Sequence, residues 1–209
     1  MKLYHQPRTR SSRVRWLLAE LGVPCDVQPV DVFAGEGRKL DYQQAVHPHG
    51  FVPALEDEGA ILIESSAICM YLADKYGEGR LAPKPGTIER GKYYEWMVYV
   101  PATADPCLET IMFNTVFLPE AKRNPQLVER ARKTWTTKIE PRFTAALSKT
   151  PFILGETFSA ADVLAAGALT WARMAQVLGT DPAITRYVEA MVSRPAFIEA
   201  HSERLRGSA

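Results

Sequence analysis

Three short stretches of this chain bring together residue types that can hold or activate a small ligand. The first is Phe51-Val52-Pro53. Proline has no backbone donor, so within a sheet it belongs where an edge lies open. Val52 could then pair its N–H and C=O with an extended peptide, and a cis bond at Pro53 would turn those groups outward. An ordinary edge proline explains the same residues. The second stretch is Glu64-Ser65, at the start of an expected helix. A helix start offers N–H groups and partial positive charge to a carboxylate. The Ser65 hydroxyl adds a donor, and Glu64 suits a ligand ammonium. Plain N-capping by Ser65 or Ser66 is the simpler alternative. The third is Thr9-Arg10-Ser11-Ser12, where hydroxyls and N–H groups at another helix start would stabilise a thiolate or other anion. Here too the alternative is capping, by Ser11 or Ser12.

These residues need elements to position them. Lys2 to His5 reads as a first strand. A helix is expected from Ser12 to Leu21, because Val14, Leu17, Leu18 and Leu21 share one helical face. Gly22 suits its left-handed cap and Pro24 prevents continuation. A second strand follows over Asp26 to Val32, then a polar segment from Gly35 to His47 with one short helix. Phe51 to Leu55 and Ala60 to Ile63 read as strands around an Asp57-Glu58-Gly59 turn. A helix from Ser66 to Tyr76 stops at Gly77. The order β-α-β-α-β-β-α implies a mixed sheet with helices packed on it. The three stretches fall after the first strand, at the third and after the fourth, so their loops can converge on one edge.

Gly79 to Gly86 carries Gly79, Pro83, Pro85 and Gly86 and reads as a linker. Beyond it the periodicity is helical. Tyr93, Trp96, Met97 and Val100 form one face, and Val128, Ala131, Trp135, Ile139 and Phe143 another, with a kink expected at Pro141. Asn124-Pro125 suits a cap and first helical residue. Ser159 to Asp162 resembles a capping box opening a helix through Leu164, Ala168, Trp171, Ala175 and Leu178. Asp181-Pro182 opens another, with Ile184, Tyr187, Val188 and Met191 buried, and Pro195 starts a last segment. The expected organisation is an α/β domain over 1–78, a linker over 79–86 and an all-helical domain over 87–209.

Bulk properties narrow the classes further. The 209 residues are 46% hydrophobic, enough for one large or two small cores. A formal charge of +1 provides no global field to draw nucleic acid or a membrane surface. The local excess of Arg8, Arg10, Arg13 and Arg15 reads equally as a solvated helix face or an anion site. The start lacks the apolar run of a signal peptide, and no stretch of about 18 apolar residues occurs. Cys25, Cys69 and Cys107 are isolated, which implies neither a disulfide framework nor a zinc site, but free thiols in a reducing cytoplasm.

Taken in order, several pieces resemble the soluble glutathione transferase family, of bacterial type with a serine/threonine-like N-terminal site. They are Met1-Lys2-Leu3-Tyr4-His5, the Ser-rich turn into Arg13-Val14-Arg15-Trp16-Leu17-Leu18, Val52-Pro53-Ala54-Leu55 and Glu64-Ser65-Ser66-Ala67-Ile68 with Tyr71-Leu72. In the second half they are Gly155-Glu156-Thr157-Phe158-Ser159-Ala160-Ala161-Asp162-Val163 and Ser193-Arg194-Pro195-Ala196-Phe197. The resemblance implies a thioredoxin-like first domain, an α-helical second domain, a homodimer, and glutathione as co-substrate without a metal. It implies that the cysteinyl backbone pairs with Val52 beside a cis Pro53, and that the γ-glutamyl end meets Glu64 and Ser65. A hydrophobic electrophile would lie among Tyr93, Trp96, Tyr99, Val100 and Phe113. Aligned on Arg13, the serine-type classes place their hydroxyl at Thr9, with Ser11 and Ser12 as neighbours able to substitute. Classes with a catalytic cysteine place it where Arg10 stands, which argues against cysteine-based chemistry. Phe51 departs from the polar residue of many relatives. The implied activity is transfer of glutathione to an electrophile, with glutathione-dependent peroxide or disulfide reduction, or ligand binding without turnover, as alternatives.

Overall fold

The computed structural model describes residues 1–202; residues 203–209, the end of the expected helical segment, lie outside the described residues. The chain forms two units. One comprises residues 1–82 together with residues 192–202, and the other Pro83–Met191. No described helix is long and apolar enough to cross a membrane.

The first unit is built on four strands, β1 (Lys2–His5), β2 (Asp26–Pro29), β3 (Ala54–Asp57) and β4 (Ala60–Ile63), in the order β2-β1-β3-β4. β2 runs parallel to β1, while β1–β3 and β3–β4 are antiparallel. Between β1 and β2 lies α1 (Ser11–Leu21). It closes as expected on Gly22, whose left-handed φ of 66° lets the N–H groups of Gly22 and Val23 return to Ala19 and Leu18. After β4 comes α3 (Ser65–Tyr76), and a short α2 (Leu40–Ala45) precedes β3. Leu3 and Leu55, paired across β1 and β3, are fully buried with Val14 and Leu17 of α1 and Ile68 and Leu72 of α3. This is the mixed sheet with packed helices that the element order predicts.

Two strand limits differ from expectation, each for a local reason. β2 stops at Pro29 because Asp31 Oδ1 accepts the N–H groups of Phe33 and Ala34, turning the chain. β3 lies further along than Phe51 to Leu55. Glu58 and Gly59 both take positive φ, and Asp57 pairs with Ala60. That two-residue hairpin carries the ladder through Asp57, while donorless Pro53 falls just outside its other end.

The first unit also contains α10 (Pro195–His201), packed on α1. Phe197 meets the Trp16 ring edge-on at 5.0 Å. Glu20 accepts both Trp16 Nε1, at 2.8 Å, and the Arg194 guanidinium, at 2.6 and 2.8 Å. At the far end of β3, buried Asp57 Oδ2 accepts Tyr71 and Tyr76 hydroxyls, both at 2.7 Å, and Lys75 Nζ at 2.9 Å.

The second unit is helical throughout its regular structure: α4 (Ile88–Tyr99), α5 (Asp105–Met112), α6 (Pro125–Thr134), α7 (Glu140–Leu147), α8 (Ala160–Met174) and α9 (Pro182–Val192). Asn124 caps α6 through its side chain, as the Asn-Pro pair predicts. π-turns at Val100–Ala104 and Trp135–Ile139 join α4 to α5 and α6 to α7. Their role follows from the apolar spacing. Ala131, Trp135, Ile139, Phe143 and Leu147 are all buried and recur every fourth residue. At about 100° per residue, each such step overshoots an α-helical face by roughly 40°. The wider π-turn takes up that drift and keeps one stripe on the core. The kink expected at Pro141 is thus prepared upstream, and Pro141 lies in the first turn of α7, where a missing donor costs little.

α8 is Ala-rich and buried over most of its surface. It ends at Met174, earlier than the pattern through Leu178 suggests, with Gln176 at a φ of 54°. The Ser159–Asp162 capping box forms as expected. Asp162 is fully buried and accepts Ser159 N–H (2.9 Å), Ile153 N–H (2.8 Å) and the Tyr187 hydroxyl (3.0 Å).

Asp162→Ala removes the side-chain acceptor of the Ser159 and Ile153 N–H groups, so it should destabilise the protein by about 3 kcal/mol, read as a fall in Tm. A fall of less than about 2 °C would contradict that role. Asp57 carries a pH signature. The Lys75 ammonium, with both tyrosine hydroxyls, overcomes burial and lowers its pKa from 3.8 to about 2. A lowered folded-state pKa stabilises above the unfolded value and is lost below it. Asp57→Asn should therefore lower stability above pH 3.8, with the difference from wild type vanishing as pH falls toward 2. Denaturant titrations across that range measure it.

Candidate active site

The antiparallel pairing sets which loops meet. Tyr4, Ala54 and Ile63 lie in register across β1, β3 and β4. β1 and β4 therefore end at the same end of the sheet where β3 begins. The turn after His5, the Val52-Pro53 dipeptide and Glu64-Ser65 follow directly from those ends. Two strand spacings separate the outer pair, about 10 Å, the length of an extended tripeptide. The convergence expected from sequence is realised in one sheet end.

At the first of these positions the chain leaves β1, passes Arg8 at a φ of 64° and enters α1 with Arg10 as N-cap. Arg10 makes no side-chain capping bond, and neither Ser11 nor Ser12 acts as the cap. Ser11 is the first helical residue and fully buried. Its Oγ turns back to β1, lying 2.7 Å from His5 Nδ1, 3.1 Å from Gln6 N, 3.0 Å from Gln6 O and 2.8 Å from Thr9 Oγ1. Ser12 is buried as well. Thr9 is the half-exposed hydroxyl of the three. Its Oγ1 accepts the Ser11 N–H at 3.2 Å and reaches Gln6 O at 2.8 Å, and its carbonyl accepts Ser12 N–H. The helix start is thus finished by Thr9. Tyr4 sits inside β1, its hydroxyl 3.5 Å from Glu56.

At the second position the Val52-Pro53 bond is cis. The ladder begins at Ala54, so Val52 lies outside it. Phe51 is 62% exposed. Its carbonyl accepts the Tyr42 hydroxyl at 2.8 Å, and its ring lies 5.8 Å from that of His47 and 6.3 Å from that of His49. Burial pushes the Tyr42 hydroxyl up to about 12 and lowers the His47 pKa, which keeps Tyr42 a neutral donor. The loop leading to Phe51 is closed by two glycines. A Cβ on Gly37 would overlap the Gly50 carbonyl, and one on Gly50 the Gly37 carbonyl. Tyr42, His47 and this glycine crossing shape the site and were not anticipated, because each contact joins residues that no local pattern links. The polar tract from Gly35 to His47 was their only trace.

At the third position Glu64 is exposed and holds φ 70°, ψ 110°. A non-glycine residue there stores about 1–3 kcal/mol of backbone strain, which persists at ligand sites where surrounding structure imposes it. Glu64 is the N-cap of α3, again without a side-chain capping bond. Ser65 and Ser66 are buried in its first turn. The N–H groups of that turn and the Glu64 carboxylate therefore sit together, one suited to an anion and the other to a cation.

In the helical unit, Tyr93, Trp96 and Val100 are core residues. Tyr99 is half-buried, and Phe113 is 49% exposed. The Arg142 guanidinium lies over the Trp96 and Tyr99 rings, 4.9 and 4.7 Å from their centroids, and pairs with Glu95. Among the described residues, no group of three or more His, Cys, Asp and Glu side chains could hold a metal ion.

Comparison with known proteins places this geometry. Residues 3–80 match the family described as glutathione S-transferase, N-terminal domain, and residues 104–195 its C-terminal domain. Glutathione S-transferase PM239X14 of Arabidopsis thaliana is 32% identical over 169 residues, 78% of this chain and 77% of the relative. Glutathione S-transferase GstA of Escherichia coli O157:H7 is 28% identical over 97% of this chain and 98% of its own. Among solved structures, BphK, a bacterial transferase in a ternary complex, superposes with a TM-score of 0.85 at 26% identity, covering 97% and 98%. A theta class enzyme from Xanthomonas axonopodis pv. citri, solved with glutathione bound, gives 0.85 at 25% identity over 98% of both chains. With the four-stranded mixed sheet, the helical unit and both domain matches in agreement, this chain belongs to the glutathione S-transferase family.

Proposed function

We propose that this protein binds glutathione across the shared end of β1, β3 and β4 and transfers it, through sulfur, to a hydrophobic electrophile. The observation that carries the reading is the in-register sheet end at which β1 and β4 finish and β3 begins, from which the segments carrying Thr9, Val52 and Glu64-Ser65 all lead. The cysteinyl backbone pairs with Val52, beside Pro53 and against Phe51. The γ-glutamyl carboxylate meets the first turn of α3 and Ser65, and its ammonium meets Glu64. The Xanthomonas relative, solved with glutathione bound, supports glutathione as the ligand.

A free thiol of pKa about 8.5 is about a tenth or less ionised at neutral pH. A hydroxyl donor and the start of α1 favour the thiolate, and lowering its pKa by about two units corresponds to about 2.7 kcal/mol. Thr9 is the donor, because its hydroxyl is the half-exposed one. Ser11 and Ser12 hold the turn from behind. The thiol proton leaves to solvent. The thiolate electron pair then forms the new C–S bond as the leaving group departs with the pair that bound it to carbon, and proximity of the two reactants supplies much of the acceleration. The electrophile meets Tyr99 and Phe113, with Tyr93, Trp96 and Val100 packed behind them. A homodimer working in cytoplasmic detoxification completes the proposal.

Thr9→Ala should lower conjugation of an aryl halide about a hundredfold while changing the glutathione Kd by less than about threefold. Equal activity in the two proteins would remove Thr9 as donor, and retention on immobilised glutathione without turnover of any electrophile would remove the transfer step. Glu64→Gly separates strain from binding. Its Tm should hold or rise, because glycine adopts positive φ without strain. Its glutathione affinity, measured by calorimetry, should fall about tenfold to a hundredfold through loss of a charged contact. Unchanged affinity would exclude Glu64 from the site.

A further inference from the structure

We infer that His5 is a positioning residue, which as an Nδ1–H donor to Ser11 releases the Thr9 hydroxyl hydrogen to the glutathione sulfur. The inference rests on Thr9 as the thiolate's donor and extends it one step into the protein.

It follows from counting hydrogens and lone pairs. Ser11 Oγ has one hydrogen and two lone pairs, yet four polar neighbours surround it: His5 Nδ1, Gln6 N, Gln6 O and Thr9 Oγ1. The Gln6 N–H can only donate, so it takes one lone pair. The Gln6 carbonyl can only accept, and both hydroxyls reach it, Ser11 Oγ at 3.0 Å and Thr9 Oγ1 at 2.8 Å. One lone pair on Ser11 is left to decide. It goes either to a proton on His5 Nδ1 or to the Thr9 hydroxyl, and the His5 tautomer chooses between them.

Suppose Nδ1 carries the proton. His5 then fills the second lone pair of Ser11, and Thr9 cannot donate there. The Ser11 hydrogen goes to the Gln6 carbonyl. Thr9, whose oxygen already accepts the Ser11 N–H, can turn its hydrogen from Gln6 to a ligand, and the buried carbonyl keeps its Ser11 bond. Now suppose Nδ1 is bare. At 2.7 Å, Ser11 must give its hydrogen to His5. The Gln6 carbonyl then depends on Thr9 alone, and a Thr9 hydrogen turned outward strips a buried acceptor of its hydroxyl donor, a costly change. The same oxygens thus make Thr9 a ready donor or a retained one. His5 is almost fully buried at the end of β1, so it acts through Ser11 and touches no ligand.

The test compares full-length wild type with His5→Leu, His5→Asn, His5→Gln, Thr9→Val and the His5→Leu/Thr9→Val double variant. The thiol pKa of bound glutathione is read from thiolate ultraviolet absorbance against pH, with the pH profile of kcat/KM for an aryl halide and the glutathione Kd beside it. His5→Leu should leave about tenfold less thiolate at neutral pH, a rise of about one pKa unit, with Kd within about threefold. His5→Asn, whose amide N–H can occupy the place of Nδ1–H, should restore the wild-type profile. His5→Gln, whose amide reaches the Nε2 position, should not. The double variant should match Thr9→Val alone, because both act on one hydrogen. A folded His5→Leu with the wild-type thiol pKa overturns the inference, as does a double variant that adds the two effects. If His5→Leu does not fold, the Asn and Gln variants decide, and equal thiol pKa values in both overturn it. Thr9→Val with an unchanged thiol pKa instead removes the reading of Thr9 itself. A raised value in Thr9→Val beside an unchanged one in His5→Leu removes the inference and leaves that reading standing.

Discussion

The rung that joins Tyr4, Ala54 and Ile63 governs what the rest of the first unit can do. β1 and β4 run one way and β3 the other, so a single line across the sheet marks two strand ends and one strand start. Side chains alternate along each strand, and a slip of one residue would turn buried Leu3 and Leu55 to the wrong face. Core packing therefore protects the register, and the register sets which three loops are neighbours. The hairpin at Glu58-Gly59 anchors the pairing from one end. At the other end, Pro53 ends the ladder and leaves Val52 outside it. The cluster of Tyr71, Lys75 and Tyr76 on Asp57 ties that hairpin to α3, the helix whose first turn carries Ser65.

The site separates contact from support. Thr9, Val52, Phe51 and Glu64 face outward to different degrees, while Ser11, Ser12, Ser65 and Tyr42 hold them from within. Under the proposed function, this division is the physical ground for taking Thr9 among the three hydroxyls. A hydroxyl with no exposed surface and four polar neighbours has no capacity left for a ligand. One at the rim, with an inward alternative for its hydrogen, keeps that capacity. Glu64 shows the same logic in the backbone. Its positive φ is held by the strand before it and the helix after it, so the stored strain sits where a ligand charge would be met.

Much of this was legible in the residue types. Strong periodicity marked α1, α8 and α9, Gly77 marked the end of α3, and the dipeptides Val52-Pro53 and Glu64-Ser65 marked two of the three segments that meet at the sheet end, because proline and a charged residue before a helix start carry their meaning locally. The Ser159–Asp162 box was equally plain. The failures share one cause. Ser11 and Ser12 looked like caps because the pattern around them is that of a cap. Only the fold brings Ser11 beside His5 and Gln6, and gives its hydroxyl better partners than the helix's own N–H groups. Tyr42 reaches Phe51 across a loop. The π-turns were hidden because a stripe at every fourth residue passes for an ordinary helical face until its drift is followed through several turns. Strand limits moved where turn chemistry at Asp31 and Glu58-Gly59 outweighed β propensity.

The crossing of Gly37 over Gly50 has a consequence for change in this protein. Two backbones touch there with no side chain between them, so the polar segment they enclose is fastened at its neck. What lies within the noose, apart from Tyr42, His47 and His49, can vary in sequence while the edge beyond it keeps its place. The neck itself admits almost no alternative. Diversity in this part of the molecule is thus invited on one side of a contact and refused at the contact, and a graft of a related loop would be trimmed to those two positions.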